Sequence, residues 1–354
     1  FWSVFLVGVI GSGRFAQSAP LSSTELDNLN MTMYSSGGMM LIANNSRYAD
    51  FCTPYSALCT ERPHAVFVPA SEAGLRSVII ALVNRGADFV VTTSRLNQDC
   101  QSTSSGYVIN MRLFQKRELN SAITIIRLGA GNSVDDANSY VQHQGDGQYF
   151  VVGVVAHWAN MVGPIFGGGF YWSAHSFGTM SDNAIEFRFM DYRGEVYTAN
   201  SVSNSDLFWA LRGGGGQLGV VIEVVMRVHR FPSTNRYGSF NLPCAGACKG
   251  EDAVAVLDRV GRWYNTLNNS ISAWYVIAAF TSKLDVSCDG CDLDALVTSA
   301  FPGAVAQVPG QNDVNHVLAT RNTGNVRDFM AWVRWCFGGL GGLPDPRAYM
   351  KFDF

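Results

Sequence analysis

Two runs of consecutive glycines constrain this chain more than any other feature of its sequence. Residues 167–169 are glycines inside the apolar stretch VGPIFGGGFYW, and residues 213–216 are glycines between a predicted helix and a predicted strand. Glycine allows positive φ and close approach to the backbone, at a cost of roughly 0.5–1 kcal/mol per residue within regular structure. Aromatic and aliphatic neighbours argue against flexible surface linkers. We therefore interpret both runs as bare main chain against which a bulky, flat ligand packs.

The composition narrows the class of protein. The 354 residues include 25 Lys plus Arg and 28 Asp plus Glu, which gives a net charge of -3. This balance provides no polybasic surface, so we expect no nucleic-acid partner. Hydrophobic residues make up 47% of the chain, a typical proportion for a globular protein of one or two domains.

The first residues predict secretion. Residues 1–19 begin with the apolar stretch FWSVFLVGVIG and end in small residues, which is typical of an incomplete signal peptide, although an N-terminal core strand is an alternative. Apolar stretches fall short of the roughly 20 residues of a membrane-spanning helix, so we expect no membrane partner. Asn30, Asn44 and Asn268 begin sequons and are predicted glycan acceptors.

Eight cysteines fit an oxidising compartment, where disulfide bonds are expected, but the sequence does not determine their pairing. A four-thiolate zinc site at Cys244, Cys248, Cys288 and Cys291 is an alternative. Its spacing is irregular, and no thioredoxin-like strand and helix are predicted around residues 288–291. We therefore expect no metal.

Periodicity predicts an α+β chain with a domain boundary near Pro232. The predicted strands are residues 64–69, 87–92, 122–128, 148–155, 185–190, 195–199, 219–230 and 273–280. The predicted helices are residues 71–85, 133–143, 205–212 and 252–267, and the remainder of the chain after residue 280 is predicted to be rich in loops.

The sequence contains few candidates for catalytic or cofactor-binding motifs. Gly129 and Gly131 begin a dinucleotide-like motif, but Val134 replaces its third glycine, which favours a simple tight turn. His157 and His175 flank the first glycine run and are candidates for proton transfer, although an isolated histidine is more often structural. Motifs of serine hydrolases, zincins and nucleoside triphosphatases are absent from the sequence. The catalytic residues therefore remain unassigned.

Residues 204–221, NSDLFWALRGGGGQLGVV, and the preceding Asp182-Asn183-Ala184 resemble the FAD-linked oxidases with a PCMH-type FAD-binding domain, the berberine bridge enzyme-like and 6-hydroxynicotine oxidase-like family. The resemblance implies an FAD-binding domain of two α/β subdomains at residues 61–232, after an N-terminal segment at residues 20–60. It also implies a partial α+β substrate-side domain at residues 233–354. A Tyr-x-Asn element of the family is missing there, so we expect this domain to be truncated.

The resemblance also implies an FAD site. The residues that it assigns to cofactor binding are Thr92, Thr93, Ser94, Arg95, Leu96, Asn97, Val162, Gly163, Gly167, Gly168, Gly169, Asp182, Asn183, Gly219, Val220 and Val221. Family members usually have Arg-Ser-Gly-Gly-His-Ser where this chain has the letters TTSRLN at residues 92–97. Their second covalent anchor, a cysteine, falls near Ala156 or His157. We therefore expect FAD to be bound non-covalently.

The implied activity is that of a secreted FAD-dependent oxidase. A hydride passes from a small substrate bearing an alcohol or amine to FAD and then to oxygen. The altered loop at residues 92–97 supports an alternative, in which a degenerate member keeps the scaffold and binds a ligand or partner without redox turnover.

Overall fold

The computed structural model describes residues 20–97, 100–154, 156–170, 174–214, 216–232, 235–242, 251–268, 271–278 and 281–306. Its α-helices are α1 (Ser23–Ser35), α2 (Tyr48–Cys52), α3 (Glu72–Asn84), α4 (Val134–Gln144), α5 (Ala174–Phe177), α6 (Met180–Asn183), α7 (Ser205–Leu211), α8 (Glu251–Tyr264) and α9 (Leu293–Ala300). Its strands are β1 (Met39–Leu41), β2 (Ala65–Val68), β3 (Phe89–Thr92), β4 (Tyr107–Asn110), β5 (Arg117–Leu119), β6 (Ile125–Gly129), β7 (Tyr149–Val151), β8 (Ala184–Met190), β9 (Val196–Asn200), β10 (Val220–Arg230), β11 (Asn235–Asn241), β12 (Ile271–Ala278), β13 (Thr281–Asp289) and β14 (Val305–Ala306). The predicted α+β class is confirmed. The predicted signal peptide lies outside the described residues.

The first sheet has the strand order β1-β2-β4-β3. Strands β2, β4 and β3 are parallel, and α3 connects β2 to β3 as predicted. Ser71 caps α3 by accepting a hydrogen bond from the Gly74 amide at 3.1 Å. Apolar residues at helical spacing, including Leu75, Val78 and Leu82, are buried against the sheet.

The second sheet is antiparallel, with the order β5-β6-β10-β8-β9. The long apolar strand β10, predicted at residues 219–230, lies at its centre. The strand predicted at residues 148–155 is only Tyr149–Val151, and it pairs antiparallel with the end of β10. Strands β6 and β7 thus both pair with β10 rather than with each other.

The two sheets share one hydrophobic core. Phe67 and Leu75 from the first sheet and its helix belong to the same buried cluster as Phe187 and Val224 from the second. At one edge of this core, Arg188 forms hydrogen bonds to both carboxylate oxygens of Glu72, at 2.7 and 3.0 Å. Arg188 also lies 3.5 Å from the carboxylate of Glu223 on β10. An ion-pair network thus joins α3 of the first sheet to the centre of the second.

The remaining strands form a separate antiparallel sheet with the order β12-β13-β11-β14. Its own core contains Phe240, Leu284, Val286, Val297 and Phe301. The prediction of a loop-rich chain after residue 280 is wrong for residues 281–306, because β13, α9 and β14 lie there. A strand and a helix therefore flank residues 288–291, contrary to the expectation from the sequence.

Two disulfide bonds are present in the described part of the chain, Cys59–Cys100 and Cys288–Cys291. The second contradicts the zinc alternative, since two of its four thiolates are consumed. Cys244 and Cys248 lie outside the described residues. Within the described ranges, no group of side chains suited to a metal ion is found, and no helix combines the length and hydrophobicity needed to cross a membrane.

The ion pairs of Arg188 predict a stability difference. Replacing Arg188 by Met removes the paired hydrogen bonds to Glu72 and one cation from the buried Glu223, so we expect the free energy of unfolding to fall by about 1–3 kcal/mol. Arg76→Met is the matched control, because the Arg76–Glu195 pair is exposed and 3.9 Å apart; we expect a change within about 0.5 kcal/mol. Urea unfolding followed by circular dichroism measures both, and equal losses would contradict the assignment.

Candidate FAD-binding site

Segments that are distant in sequence converge where β3 and β6 end and β10 begins. The Asn160 amide donates to Ser94 Oγ at 3.4 Å, which brings the loop after β3 to the segment before the first glycine run. The Ala130 amide donates to the Ile222 carbonyl at 2.8 Å, and the Met161 amide donates to the Asn132 carbonyl at 2.9 Å. The predicted loop, the turn after β6, the residues around Val162 and the start of β10 therefore lie together.

Asn160 joins these segments, and the sequence reasoning missed it. Its side-chain nitrogen donates to the carbonyls of Ala130 and Asn132, at 2.5 and 2.9 Å. Its side-chain oxygen accepts from the amides of Val162 and Gly163, at 2.8 and 3.2 Å. The only signal in the sequence is a polar residue inside the otherwise apolar stretch ANMVGPIF. A buried polar residue of this kind needs several partners, which is a reason to examine it.

The first glycine run has one face held by protein and one open face. The carbonyls of Gly168 and Gly169 accept hydrogen bonds from the amides of Ser181 and Met180, both at 2.9 Å. A Cβ added to Gly169 would lie 2.7 Å from the Met180 side chain. By contrast, a Cβ added at Gly163, Gly167 or Gly168 would meet no atom of the described residues within 4 Å. Bare main chain is therefore exposed on that side, as the ligand interpretation requires.

The second glycine run is explained in part by packing within the protein. A Cβ on Gly214 would lie 2.5 Å from the Ala210 carbonyl oxygen, and one on Gly216 would lie 3.1 Å from the Phe166 ring, whereas Gly213 is open. Close packing against the protein therefore explains two of the four glycines. Gly215 lies outside the described residues.

The residues at the start of β10 pack within the second sheet. A Cβ on Gly219 would lie 2.4 Å from the Phe189 ring, and its φ of +148° also favours glycine. Val220 and Val221 are buried and pair with Met190 and Phe189 of β8. Their side chains belong to the core, so only their main chain is available to a ligand.

Asp182 and Asn183 support the first glycine run indirectly, through α6. Asp182 accepts hydrogen bonds from the amide and hydroxyl of Thr179, and these bonds lower the pKa of its carboxyl group. The side-chain nitrogen of Asn183 donates to the carbonyls of Phe177 and Thr179, both at 2.8 Å, and its oxygen contacts His229 Nε2 at 2.5 Å. The side chains of Asp182 and Asn183 thus stabilise α6, whose amides hold Gly168 and Gly169.

The loop at residues 92–97 combines hydroxyl groups with buried cations. Arg95 has a φ of +56° and is 5% exposed. Burial lowers the pKa of Arg95, and burial together with the charge of Arg95 lowers the pKa of Arg112 to about 10. The Asp50 carboxylate also acts on both guanidinium groups and offsets part of their charge, and two cations against this one carboxylate leave a positive potential that favours a bound anion. Thr93 and Ser94 are half-buried, so their hydroxyls are near the surface of the loop.

Leu96 and Asn97 contribute differently to this loop. Leu96 is half-buried and apolar, and Asn97 is exposed. The side-chain oxygen of Asn97 accepts a hydrogen bond from the Gln101 amide at 3.0 Å. Neither residue is the histidine that links flavin in the family.

Of the two candidate histidines, His157 is not placed as a proton donor at an open site. His157 is buried, and its ring packs edge-on against Trp158 at 4.7 Å between centroids. The side chain of His175 lies outside the described residues. The turn interpretation of the Gly129 motif is confirmed, because Cβ atoms on Gly129 and Gly131 would lie 2.3 and 2.4 Å from the Phe114 and Arg112 carbonyl oxygens.

Part of the chain is similar to known FAD-binding proteins. Residues 63–200 match the family described as "FAD binding domain". The chain is 39% identical over 107 residues to the FAD-linked oxidoreductase easE of Aspergillus fumigatus, a match that covers 29% of this chain and 17% of the relative.

Solved structures share the fold. The berberine bridge enzyme-like protein 1 of Physcomitrella patens superposes with a TM-score of 0.72 at 20% identity, covering 82% of this chain and 64% of the neighbour. The 6-hydroxy-D-nicotine oxidase of Arthrobacter nicotinovorans gives 0.71 at 17% identity, covering 87% and 65%. The chain therefore spans less than two thirds of the length of each of these proteins. Residues 63–200 therefore match an FAD-binding domain, the chain is similar over part of its length to FAD-linked oxidoreductases, and it shares its fold with berberine bridge enzyme-like and 6-hydroxynicotine oxidase-like proteins.

Proposed function

We propose that this protein is an FAD-dependent oxidase that takes a hydride from a small substrate bearing an alcohol or amine and passes the electrons to oxygen. The observation that carries the proposal is the open main-chain face of Gly163, Gly167 and Gly168, within the matched FAD-binding domain. The similarity to FAD-linked oxidoreductases supports the redox chemistry. The name of a structural neighbour, 6-hydroxy-D-nicotine oxidase, supports a small-molecule substrate.

The residues present fit FAD. Residues Gly163–Gly167 form one short 3-10 helix, and the positions that side chains would occupy at Gly163, Gly167 and Gly168 meet no described atom within 4 Å, which leaves room for an aromatic ring beside the main chain. Ser94 Oγ accepts from the Asn160 amide and still has a hydrogen to donate to a diphosphate oxygen. The positive potential of Arg95 and Arg112 favours the diphosphate charge.

When bound, FAD would supply the hydride acceptor, and the protein supplies position and shielding from water. The segment from Val162 to Gly168 is fixed by Asn160 on one side and by α6 on the other, so the main chain is preorganised for the cofactor. Leu96 stands where family members have the histidine that links flavin. Ala156, near the position of the second covalent anchor, has no nucleophilic side chain. We therefore propose non-covalent binding.

We also propose secretion and glycosylation. The Cys59–Cys100 and Cys288–Cys291 disulfides support an oxidising compartment. Asn30, Asn44 and Asn268 are exposed, so each sequon is accessible to a glycosyltransferase. Expression of the full-length gene in a eukaryotic host tests this, because treatment of secreted protein with an endoglycosidase is expected to lower its apparent mass.

The open face predicts a selective effect on FAD affinity. Replacing Gly167 by Leu places a side chain where a Cβ meets no atom of the described residues within 4 Å, so we expect the fold to be retained while ring packing is blocked. We expect FAD to bind at least about ten-fold more weakly, a loss of about 1.4 kcal/mol. Titration of the quenching of flavin fluorescence measures this affinity.

Gly261→Leu on α8 is the matched control, because a Cβ there also meets no atom within 4 Å. We expect this substitution to leave FAD affinity within about two-fold, since it adds a helix-forming residue far along the chain from the site. Equal affinities for both variants and the parent would contradict the assigned face. Parent protein that stays colourless in excess FAD would favour the alternative, a scaffold that binds a ligand or partner without redox turnover. The buried Arg95, which stands where family members have a glycine, also supports that alternative.

The absence of covalent anchors predicts the outcome of denaturation. Acid precipitation of the FAD-loaded protein is expected to leave all the flavin in the supernatant, as judged by its visible absorbance. Yellow colour in the washed pellet would show a covalent bond. In that case His157→Ala identifies the attachment site, since His157 lies at the position nearest the family's second anchor.

A further inference from the structure

The Cys288–Cys291 disulfide lies at a junction between a strand and a helix, remote in sequence from the FAD-binding domain. Cys288 is near the end of β13, where it pairs with Arg236 of β11 and Ile271 of β12. Gly290 makes the turn with a φ of +65°, and Cys291 directly precedes Asp292, the N-cap of α9. The Cys-x-x-Cys spacing also occurs in proteins that exchange thiols and disulfides.

The two disulfides differ in the length of the chain segment that each one closes. The Cys288–Cys291 bond closes a sequence separation of 3 residues, whereas Cys59–Cys100 closes 41. The constraint that a disulfide places on the unfolded chain grows with loop length. Reduction of Cys288–Cys291 therefore costs the fold much less than reduction of Cys59–Cys100, and the short pair is able to cycle in the folded protein.

The two sulfurs differ in access. Cys288 is fully buried in the core of the C-terminal sheet, beside Leu293 and Val297 on α9. Cys291 is half-buried, and Gly290 is exposed at the tip of the turn, where an added Cβ would meet no atom within 4 Å. An external thiolate can therefore approach Cys291, while Cys288 is shielded from it.

The surrounding structure does not depend on the bond. The strand β13 is paired on both sides, with β11 and with β12. The helix α9 begins with its own cap, because the Asp292 side chain accepts a hydrogen bond from the Ala295 amide at 3.0 Å. Both flanking elements thus have stabilising contacts that remain after reduction.

We infer that Cys288 and Cys291 form a thiol–disulfide exchange site whose substrates are dithiols, small or protein-borne. A donor thiolate attacks Cys291 Sγ, the Cys288–Cys291 bond breaks, and Cys288 leaves as a thiolate that takes up a proton. The second donor thiolate then attacks the donor sulfur of the mixed disulfide and releases Cys291, which is also protonated. Two electrons and two protons reach the protein, and the donor becomes a disulfide. This exchange is independent of the proposed flavin chemistry.

Redox titration of the full chain tests the inference. The folded protein is equilibrated with mixtures of reduced and oxidised dithiothreitol, thiols are trapped with iodoacetamide, and mass spectrometry quantifies each pair. We expect Cys288–Cys291 to be half reduced at a ratio of reduced to oxidised reagent at least about ten-fold lower than Cys59–Cys100. Near-ultraviolet circular dichroism is expected to stay native at that ratio. Co-reduction of both pairs, or reduction only with loss of the native signal, overturns the inference.

Single substitutions test the assignment of the two sulfurs. In Cys288→Ser the accessible Cys291 thiol remains, and in Cys291→Ser only the buried Cys288 thiol remains. With oxidised glutathione as the probe, we expect the first variant to form its mixed disulfide at least about ten times faster than the second. Equal rates in two folded variants would contradict attack at Cys291.

Discussion

The buried side-chain amide of Asn160 is the interaction on which the candidate site depends. Its nitrogen uses both hydrogens and its oxygen accepts two bonds, so the hydrogen-bonding capacity of the amide is fully used. Because an unpaired buried polar group costs free energy, this geometry strongly favours one arrangement of the turn after β6 and of the chain at Val162 and Gly163. The main chain that would contact FAD is therefore fixed by the protein itself.

The glycines of this chain serve two different physical needs. At Gly129, Gly131 and Gly219 another part of the protein approaches so closely that any Cβ would overlap it. At Gly163 and Gly167 the position beside the backbone is open, so packing within the protein does not explain the absence of a side chain. Open positions also occur at Gly213 and Gly261, so they suggest a ligand only where, as at Gly163 and Gly167, they fall within the matched FAD-binding domain on a segment that Asn160 and α6 hold in place. A sequence shows both kinds as the same letter, and contacts are needed to separate them.

The sequence predicted the fold where periodicity was strong and contacts were local. The apolar spacing of α3 and the long apolar strand β10 gave correct elements, and the family motif gave the cofactor class. The sequence-based prediction failed at residues 281–300. There β13 alternates the buried Leu284, Val286 and Cys288 with polar residues over a short length, and α9 has only eight residues, so the periodicity of both elements is weak. The role of Asn160 was beyond sequence reasoning, because its four partners come from two segments that only the fold brings together.

The strand β11 connects the two cores of the protein. Tyr237 is buried in the core shared by the first two sheets, whereas Phe240, three residues later on the same strand, is buried in the core of the C-terminal sheet. The C-terminal sheet is therefore anchored in the FAD-binding domain by packing as well as by the covalent chain. Arg236, which precedes Tyr237, is the residue opposite Cys288 on β13. The proposed exchange site and the anchor of the C-terminal sheet thus occupy adjacent positions of one strand pair, so a shift of β13 at Cys288 would act on the strand that contributes Tyr237 to the core shared by the first two sheets.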